Sequence, residues 1–226
     1  MNKKTKVRNM FDSIAGKYDF LNHFLSAGVD IYWRKKAIRL TKLNGNSILL
    51  DVACGTGDFA LTALKSGVKN IYGADLSFEM LKLFNKKSEY SRGKILQMTA
   101  ENAPFKSGSF TNITVAFGVR NFYDIQKSFD VFYDILKQGG KATILEFSLP
   151  KNKLFLALYN FYFNNILPAI GKFFSKDKEA YKYLPDSVKE FDENVNLPEL
   201  FRNSGFKKVD VYPLTFGIAQ ITIAEK

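Results

Sequence analysis

A glycine-rich turn between a predicted strand and a predicted helix is the part of the sequence best suited to bind a ligand. In the stretch ILLDVACGTGDFA, strand-forming residues lead into Gly55, Thr56 and Gly57. Gly55, Gly57 and Ala60 satisfy the pattern G-x-G-x-x-G/A, and Asp75 lies 18 residues beyond Gly57. An acidic residue at about that distance from such a loop accepts hydrogen bonds from ribose hydroxyls. The spacing therefore predicts a ligand that contains ribose.

Asp51 separates two classes of ribose ligand. A dinucleotide would place its pyrophosphate on the loop amides and the helix N-terminus, close to this carboxylate. Two like charges about 4 Å apart cost roughly 4 kcal/mol at the effective dielectric constant of a protein surface. S-adenosylmethionine has a ribose, a sulfonium and an ammonium group but no phosphate, so a carboxylate attracts it. We therefore expect S-adenosylmethionine as the cofactor. The alternative is that Asp51 only caps the loop.

The elements that must position these residues alternate along the chain from Ser47 onward. This alternation is typical of a mostly parallel sheet with helices on both faces. A link as short as the one between the last two predicted strands requires an antiparallel hairpin, expected at one end of the sheet. Gly139 and Gly140 are expected to end one helix with a left-handed cap. The predicted strands are residues 47–52, 70–75, 94–98, 110–117, 141–147, 206–212 and 216–224, and the predicted helices are 57–66, 77–88, 125–138 and 196–204.

The segments on either side of the core strands are candidates for a cover over the site. Ligands of open α/β sheets bind at the carboxyl ends of the strands, where such a cover would lie. We expect a single domain with a helical cap in residues 1–45, a cofactor-binding core in 46–150 and a helical lid in 151–192. The last helix and the terminal hairpin occupy residues 193–226.

Composition limits the cellular environment and the partners. Of 226 residues, 46% are hydrophobic and 15% aromatic, Cys54 is the single cysteine, and no apolar run reaches the length of a membrane span. We expect a cytoplasmic protein without a disulfide. The net charge is +11, and residues 1–40 hold nine Lys and Arg against three Asp. This segment could contact an anionic membrane or nucleic acid; a Lys-rich solvated face is the slightly favoured alternative.

The sequence resembles the ubiquinone/menaquinone-biosynthesis C-methyltransferase family over nearly its full length. The glycine loop is shared by all methyltransferases of this kind, whereas FGVRNF and YKYLPDS are more specific to the family. The resemblance implies a Rossmann-like class I methyltransferase fold, with a seven-stranded, mostly parallel sheet, an antiparallel last strand and a helical cap. The motifs, in chain order, are FDSIAGKYDFLN, WR, LDVACGTGDFA, GADLSFEML, AENAPF, FGVRNFYD, LEFSLP, YKYLPDSVKEF and LTFGIA.

The resemblance also implies roles for residues of the cofactor site. It puts Thr56 and the glycine loop against the methionine part of S-adenosylmethionine, Asp75 on the ribose, and Thr99 and Ala100 beside the adenine. Family members usually have Asn or Asp where this chain has Thr99, so the backbone is expected to replace that side-chain hydrogen bond. A second departure is FDEN at residues 191–194, where a proline usually follows the phenylalanine.

The implied reaction requires a nucleophilic ring carbon, which a quinol provides when a neighbouring hydroxyl is ionised. A phenolic hydroxyl has a pKa near 10, so the site must stabilise the phenolate or supply a base. Arg120 is the candidate for stabilising the anion, because its guanidinium stays protonated, and Asn121 for orienting the quinol oxygen. The alternative for Arg120 is a salt bridge at a strand end. Asn121-Phe122-Tyr123 lacks the prolines of the Asn-Pro-Pro-Tyr element, which argues against a nucleic-acid base as substrate.

The aromatic segment 154–174 is a candidate binding surface for the lipid tail of such a substrate. It contains seven aromatic residues and is flanked by lysines. It could line a tunnel for a polyprenyl chain and rest on anionic lipid at the inner face of the membrane. The alternative is an ordinary pair of core helices.

The leading hypothesis for function is C-methylation of demethylmenaquinol by S-adenosylmethionine. One alternative is methylation of the 2-polyprenyl-6-methoxy-benzoquinol intermediate of ubiquinone biosynthesis, since both rings present a carbon beside a hydroxyl. Another is a nucleic-acid-binding methyltransferase, or a non-catalytic binding subunit, that uses the basic N-terminus. We expect no metal and no nucleic acid, and the sequence leaves the oligomeric state open.

Overall fold

The computed structural model describes residues 3–26, 28–166 and 178–226. In these residues seven strands form one sheet in the order β3-β2-β1-β4-β5-β7-β6. Strands β1 to β5 run parallel to one another, and β7 is antiparallel to both β5 and β6. The predicted fold class and terminal hairpin are therefore confirmed. The strands are β1 (Ile48–Val52), β2 (Asn70–Asp75), β3 (Ile95–Gln97), β4 (Phe110–Ala116), β5 (Leu136–Phe147), β6 (Lys208–Leu214) and β7 (Ala219–Glu225).

Helices cover both faces of this sheet. One core cluster contains Phe129 and Phe201, whose rings stack with centroids 3.9 Å apart. The cluster on the other side contains Trp33, Phe59 and Phe84. The described helices are α1 (Lys3–Leu25), α2 (Val29–Thr41), α3 (Asp58–Lys65), α4 (Phe78–Lys87), α5 (Ile125–Ile135), α6 (Lys153–Phe161), α7 (Lys178–Asn194) and α8 (Leu197–Asn203).

The central strand β1 explains why the site forms at one edge of the sheet. Leu49 and Leu50 point to opposite faces, and both are fully buried, as expected for a parallel strand covered on both sides. β1 pairs with β2 on one side and β4 on the other, so the order of the strands reverses here. A crevice opens at the carboxyl ends of strands at such a reversal.

The predicted end of the helix over residues 125–138 is wrong. The helix ends at Ile135, and β5 begins at Leu136, which is fully buried and pairs with Phe110 of β4. Gly139 does have a positive φ of 72°, but it lies where the register between β4 and β5 shifts. A Cβ on Gly140 would lie 2.8 Å from the Lys137 carbonyl oxygen. The glycines therefore permit a bulge in the strand and do not cap the helix.

The segments predicted as cap and lid both contact the carboxyl edge of the sheet. Asp12 and Asp19 of α1 bond to Ser77 and Thr56, in the loops after β2 and β1. Tyr183 and Ser187 of α7 bond to the turn after β4. Residues 167–177, in the middle of the predicted lid, lie outside the described residues, and the division into cap, core and lid stays a prediction. None of the described helices is both long enough and apolar enough to cross a membrane.

Candidate active site

The loop after β1 combines a tight turn with close packing. Ala53, Gly55 and Gly57 all have positive φ angles, of 53°, 55° and 87°. A Cβ on Gly57 would lie 2.2 Å from the ring of Phe84, so this glycine serves the turn and its packing against α4. Gly55 lines the cavities described below. Direct cofactor contacts of Gly55 and Gly57 stay predictions.

Asp75, the last residue of β2, fastens this loop to the next one. Its Oδ2 accepts a hydrogen bond from the N–H of Gly55, and its Oδ1 one from the N–H of Ser77, both at 2.8 Å. A carboxylate offers about four acceptor positions, so Asp75 can still accept hydroxyl donors. Burial raises its pKa to about 6. The geometry suits the predicted contact with a ribose.

The main cavity lies at the carboxyl ends of β1, β2, β3 and β4, under α1. The space between the protein atoms that line it, counted together with the open solvent at its mouth, is about 790 Å³. Five of the predicted site residues line it: Gly55, Asp75, Thr99, Ala100 and Asn121. The rest of the lining comprises Val7, Arg8, Phe11, Val52, Ala53, Leu76, Ser77, Met80, Met98, Glu101, Ala116, Phe117, Gly118, Phe122 and Tyr123.

Glu101 holds two walls of this cavity together and was not singled out from the sequence. Its Oε1 accepts hydrogen bonds from the backbone N–H groups of Tyr123 and Asp124, at 2.9 and 3.2 Å. The loop after β3, which carries Thr99 and Ala100, is thereby attached to the loop after β4. Glu101 lies in the AENAPF motif, and this position is the feature of the sequence that could have identified it.

A smaller cavity adjoins the main one and contains Asp51. The two cavities share four lining residues, Ala53, Gly55, Ala116 and Phe117. Asp51 is buried, and its Oδ1 accepts a hydrogen bond of 2.8 Å from the Thr114 hydroxyl. Its Oδ2 has no hydrogen-bond partner among the described residues. Burial raises the pKa of Asp51 to about 7, although the Thr114 hydrogen bond, the charge of Arg34 and the nearby backbone N–H of Ala60 act in the opposite direction.

Thr56 ties the glycine loop to α1. Its buried hydroxyl donates a hydrogen bond to Asp19 and accepts one of 2.8 Å from the Lys87 ammonium group. Lys87 also pairs with Asp19 at 2.6 Å and with Asp58 at 2.8 Å. The Thr56 side chain is therefore engaged within the protein. Its predicted contact with the methionine part of a cofactor stays a prediction.

A second carboxylate of α1 makes a matching contact. Asp12 accepts a hydrogen bond from the Ser77 hydroxyl, which also caps α4 by accepting the N–H of Met80 at 3.1 Å. Asp12 and Asp19 are seven residues apart, about two helical turns, so both lie on one face of α1. This spacing of the two carboxylates within FDSIAGKYD is the feature of the sequence from which the docking of α1 could have been predicted.

Arg120 forms a buried salt bridge. Its Nη1 donates to Glu146 Oε1 at 2.7 Å and to the Phe117 carbonyl oxygen at 2.6 Å. The side chain of Arg120 is 7% exposed and that of Glu146 is 0% exposed. Arg120 does not line either of the two cavities described above. The geometry therefore shows the salt bridge that the sequence analysis gave as the alternative for Arg120. A role of Arg120 in catalysis stays a prediction.

Asn121, by contrast, faces the main cavity with its orientation fixed. The Tyr183 hydroxyl of α7 donates a hydrogen bond of 2.7 Å to its Oδ1. Because that oxygen is occupied, the Asn121 amide offers its two N–H donors to a ligand. Tyr183 lies within the YKYLPDS motif, but the sequence analysis assigned it no role. Burial raises its pKa, so its hydroxyl remains a donor.

The sequence profile of the ubiE/COQ5 methyltransferase family matches residues 1–226. The chain belongs to the ubiE/COQ5 methyltransferase family. It is 42% identical to a Chlorobaculum tepidum protein named demethylmenaquinone methyltransferase, over 99% of this chain and 93% of that protein. It is 45% identical to the ubiquinone/menaquinone biosynthesis C-methyltransferase UbiE of Geotalea daltonii, over 99% of this chain and 97% of that protein. The resemblance read from the motifs is confirmed.

Solved structures show that this ubiE/COQ5 family member has a widespread fold. A Thermotoga maritima SAM-dependent methyltransferase, described as a possible histamine N-methyltransferase, matches with a TM-score of 0.65 at 20% identity, over 96% of this chain and 99% of that one. The [4+2]-cyclase SpnF matches with a TM-score of 0.68 at 15% identity, over 97% and 94%. A methyltransferase and a cyclase on one fold show that the side chains of the site decide the reaction.

Two carboxyls of the site, the buried Asp51 and the partly buried Asp75, are expected to make the stability of this ubiE/COQ5 family member depend on pH. Burial raises the pKa of Asp51 from 3.8 to about 7 and that of Asp75 from 3.8 to about 6. Between the ordinary pKa of 3.8 and the raised value of each carboxyl, the folded protein binds more protons than the unfolded chain. The free energy of unfolding therefore falls as pH rises through this range. The stability due to protonation is complete below the ordinary pKa and is lost as pH passes the raised value.

In wild type, the free energy of unfolding is expected to decrease between about pH 4 and about pH 8. We expect Asp51→Asn to make this decrease smaller by up to roughly 4 kcal/mol, since one pKa unit corresponds to about 1.4 kcal/mol. The Asn oxygen still accepts from Thr114, so the substitution mainly removes the ionisation. Urea unfolding of the protein without ligand at the two pH values measures the effect. Glu89→Gln, at an exposed side chain, is the matched control. An equal loss in Asp51→Asn and wild type would show that the carboxyl is ionised in both folded and unfolded states.

Proposed function

We propose that this protein transfers the methyl group of S-adenosylmethionine to a ring carbon of a polyprenyl quinol, with demethylmenaquinol as the leading substrate. The observation that carries the proposal is the cavity that brings Gly55, Asp75, Thr99, Ala100 and Asn121 together beside Asp51. Family membership and the name of the Chlorobaculum relative support the reaction class. The name of the Geotalea relative covers ubiquinone as well, so the benzoquinol remains the second candidate.

The residues present fit the cofactor. Asp51 has a buried oxygen without a hydrogen-bond partner among the described residues, which suits an ammonium donor. Asp75 has acceptor capacity for ribose hydroxyls. Ala100 and Met98 give an apolar wall beside the backbone of Thr99, which suits the adenine ring. The cofactor supplies an electrophilic methyl group when it is bound.

Asn121 is the residue of the chain that would contact the quinol oxygen. Its amide is oriented by Tyr183 so that N–H groups are available, and N–H donors stabilise an oxygen that carries developing negative charge. The ring carbon beside an ionised hydroxyl is the nucleophile. It gains the methyl group and afterwards loses its own proton, which restores the aromatic ring.

Arg120 supports the same charge from behind the cavity. Burial raises the pKa of the neighbouring phenols Tyr159 and Tyr183, and the charge of Arg120 acts in the opposite direction on both. At Tyr183 the charge of Glu146 acts against that of Arg120, so only part of this positive field is left for a phenolic oxygen at this side of the site. Because Glu146 pairs with Arg120, we propose that Arg120 acts through this field and through the position of the turn after β4.

Methylation of a reduced quinone by the purified protein tests the proposed function. With S-adenosylmethionine present, we expect reduced demethylmenaquinone to gain one methyl group, and the oxidised form to stay unchanged because its ring is electron-poor. Mass spectrometry of the extracted quinones measures the product. The demethylated benzoquinol serves as the parallel substrate, and Asp75→Ala as the variant with impaired cofactor binding. The proposal fails if neither reduced substrate is methylated.

Removal of the Tyr183 hydroxyl tests the orientation of Asn121. We expect Tyr183→Phe to lower kcat about tenfold, the equivalent of one lost hydrogen bond of about 1.4 kcal/mol. The Asn121 amide is proposed to stabilise the ionised quinol oxygen. Without this fixed donor, the pH at which the methylation rate rises should therefore be higher. Affinity for S-adenosylhomocysteine should stay unchanged, because Tyr183 is not in the lining of the cavity. Tyr212→Phe, on β6, is the control. A pH profile identical to that of wild type would argue against this role.

Helix α6 presents an apolar face that suits contact with a membrane. Leu154, Leu158 and Phe161 are 66%, 56% and 59% exposed, and their spacing places them on one side of the helix. Lys151 and Lys153 lie exposed at its start. Apolar side chains beside lysines are the combination that binds anionic bilayers. We therefore propose peripheral contact of this face with the inner surface of the membrane, from which a polyprenyl quinol is taken.

Flotation with phosphatidylglycerol-containing vesicles at low ionic strength tests this contact. We expect wild type to float with the vesicles and Leu158→Glu to remain mostly in solution, because a carboxylate cannot enter the lipid. Val211→Glu, at an exposed apolar residue of β6, controls for added negative charge and should float. Equal flotation of both variants would contradict α6 as the contact surface.

A further inference from the structure

The small cavity beside the main one holds two buried polar atoms of opposite type. Asp51 Oδ2 is a hydrogen-bond acceptor and Arg34 Nε is a donor, and neither has a hydrogen-bond partner among the described residues. The residues are 1% and 5% exposed, and both line this cavity. Buried polar atoms in native proteins nearly always have partners. The pair therefore indicates a ligand that brings a donor and an acceptor together.

Arg34 is held in a fixed orientation by groups that leave its Nε unused. Its Nη1 donates to Asp30, one turn earlier on α2. Its Nη2 lies 3.6 Å from Asp58 Oδ2, at the start of α3. The guanidinium carbon lies 5.8 Å from the centre of the Phe117 ring. The guanidinium is thus attached to α2, α3 and the loop after β4, with the Nε–H available to an acceptor.

The charges around the cavity suit a ligand with separated positive and negative groups. Asp30, Asp51 and Asp58 stand close to the single cation of this cavity lining, Arg34, and Lys87 pairs with Asp58 from outside the lining. An isolated anion would meet this excess of carboxylates, and an isolated ammonium group would leave Arg34 Nε unsatisfied. An α-amino acid group, with ammonium and carboxylate on one carbon, satisfies both atoms and adds no net charge.

We infer that Arg34 binds the α-carboxylate of the methionine part of S-adenosylmethionine, opposite Asp51, which binds the α-ammonium group. This inference rests on the proposed function and adds a residue of α2 to a site that the sequence assigned to the strand loops alone. The guanidinium and the carboxylate form a charge-assisted hydrogen bond in a cavity shielded from water. Asp30 is a positioning residue, since it acts on the ligand through Arg34.

Truncated ligands test the inference on the unmodified protein. S-adenosylhomocysteine carries both groups, its decarboxylated form lacks only the carboxylate, and 5′-methylthioadenosine lacks the amino-acid part. Calorimetric titration of each gives its Kd. We expect loss of the carboxylate to raise Kd by about tenfold or more, as for removal of a charge-assisted hydrogen bond. Equal Kd values for S-adenosylhomocysteine and its decarboxylated form would overturn the inference.

Variants assign the effect to Arg34. We expect Arg34→Met to weaken S-adenosylhomocysteine about tenfold or more and to leave the Kd of the decarboxylated form and of 5′-methylthioadenosine unchanged. Arg39→Met, at an exposed residue of the same helix, should change none of them. Equal weakening of all three ligands by Arg34→Met would show a purely structural role and overturn the inference. If this variant fails to fold, the ligand series on wild type still decides.

The outcomes separate this inference from the proposed function. If S-adenosylhomocysteine binds but its carboxylate contributes nothing to the affinity, Arg34 does not bind the carboxylate. The cofactor proposal then still stands. If none of the three adenosyl ligands binds to the protein at millimolar concentration, the cofactor proposal itself fails and the inference falls with it.

Discussion

The carboxylate of Asp75 holds together the loops on which the site is built. One oxygen accepts the N–H of Gly55 and the other that of Ser77, so the loops after β1 and β2 keep a fixed spacing. Ser77 in turn caps α4 and donates to Asp12 of α1. A single side chain thus sets the relative position of the glycine loop, a helix start and the N-terminal helix. A ligand that bonds to the same carboxylate is held at the point where these elements meet.

A chain with a strong excess of basic residues has an acidic site. The first 40 residues hold nine Lys and Arg against three Asp, yet each of these, Asp12, Asp19 and Asp30, is bonded to a polar side chain at the edge of a cavity. Asp51, which is buried, and Asp75, which is partly buried, add two more carboxyls. The acidic residues of the N-terminal segment are therefore concentrated where a cofactor with net positive charge would lie.

The sequence predicts what depends on neighbours along the chain and misses what depends on distant contacts. The alternation of strands and helices predicts the fold, and the spacing of the glycine loop and the acidic residues predicts Gly55 and Asp75 of the main cavity. The end of α5 is mispredicted because Leu136 pairs with β4, a contact that no local pattern contains. The same reason hides the pairing of Arg120 with Glu146 and that of Asn121 with Tyr183, partners 26 and 62 residues apart.

Helix α1 makes two kinds of contact with the site. Its Asp19 bonds to Thr56 of the glycine loop, and it forms a wall of the main cavity through Val7, Arg8 and Phe11. Its hydrogen bonds to the loops run through the side-chain carboxylates of Asp12 and Asp19, and its Val7 and Ala15 are buried. Detachment would widen the cavity on the side of Asp75. If the proposed S-adenosylmethionine enters and leaves on that side, its exchange would require this helix to move. The speed of the catalytic cycle would be shared between the transfer step and the opening of a helix.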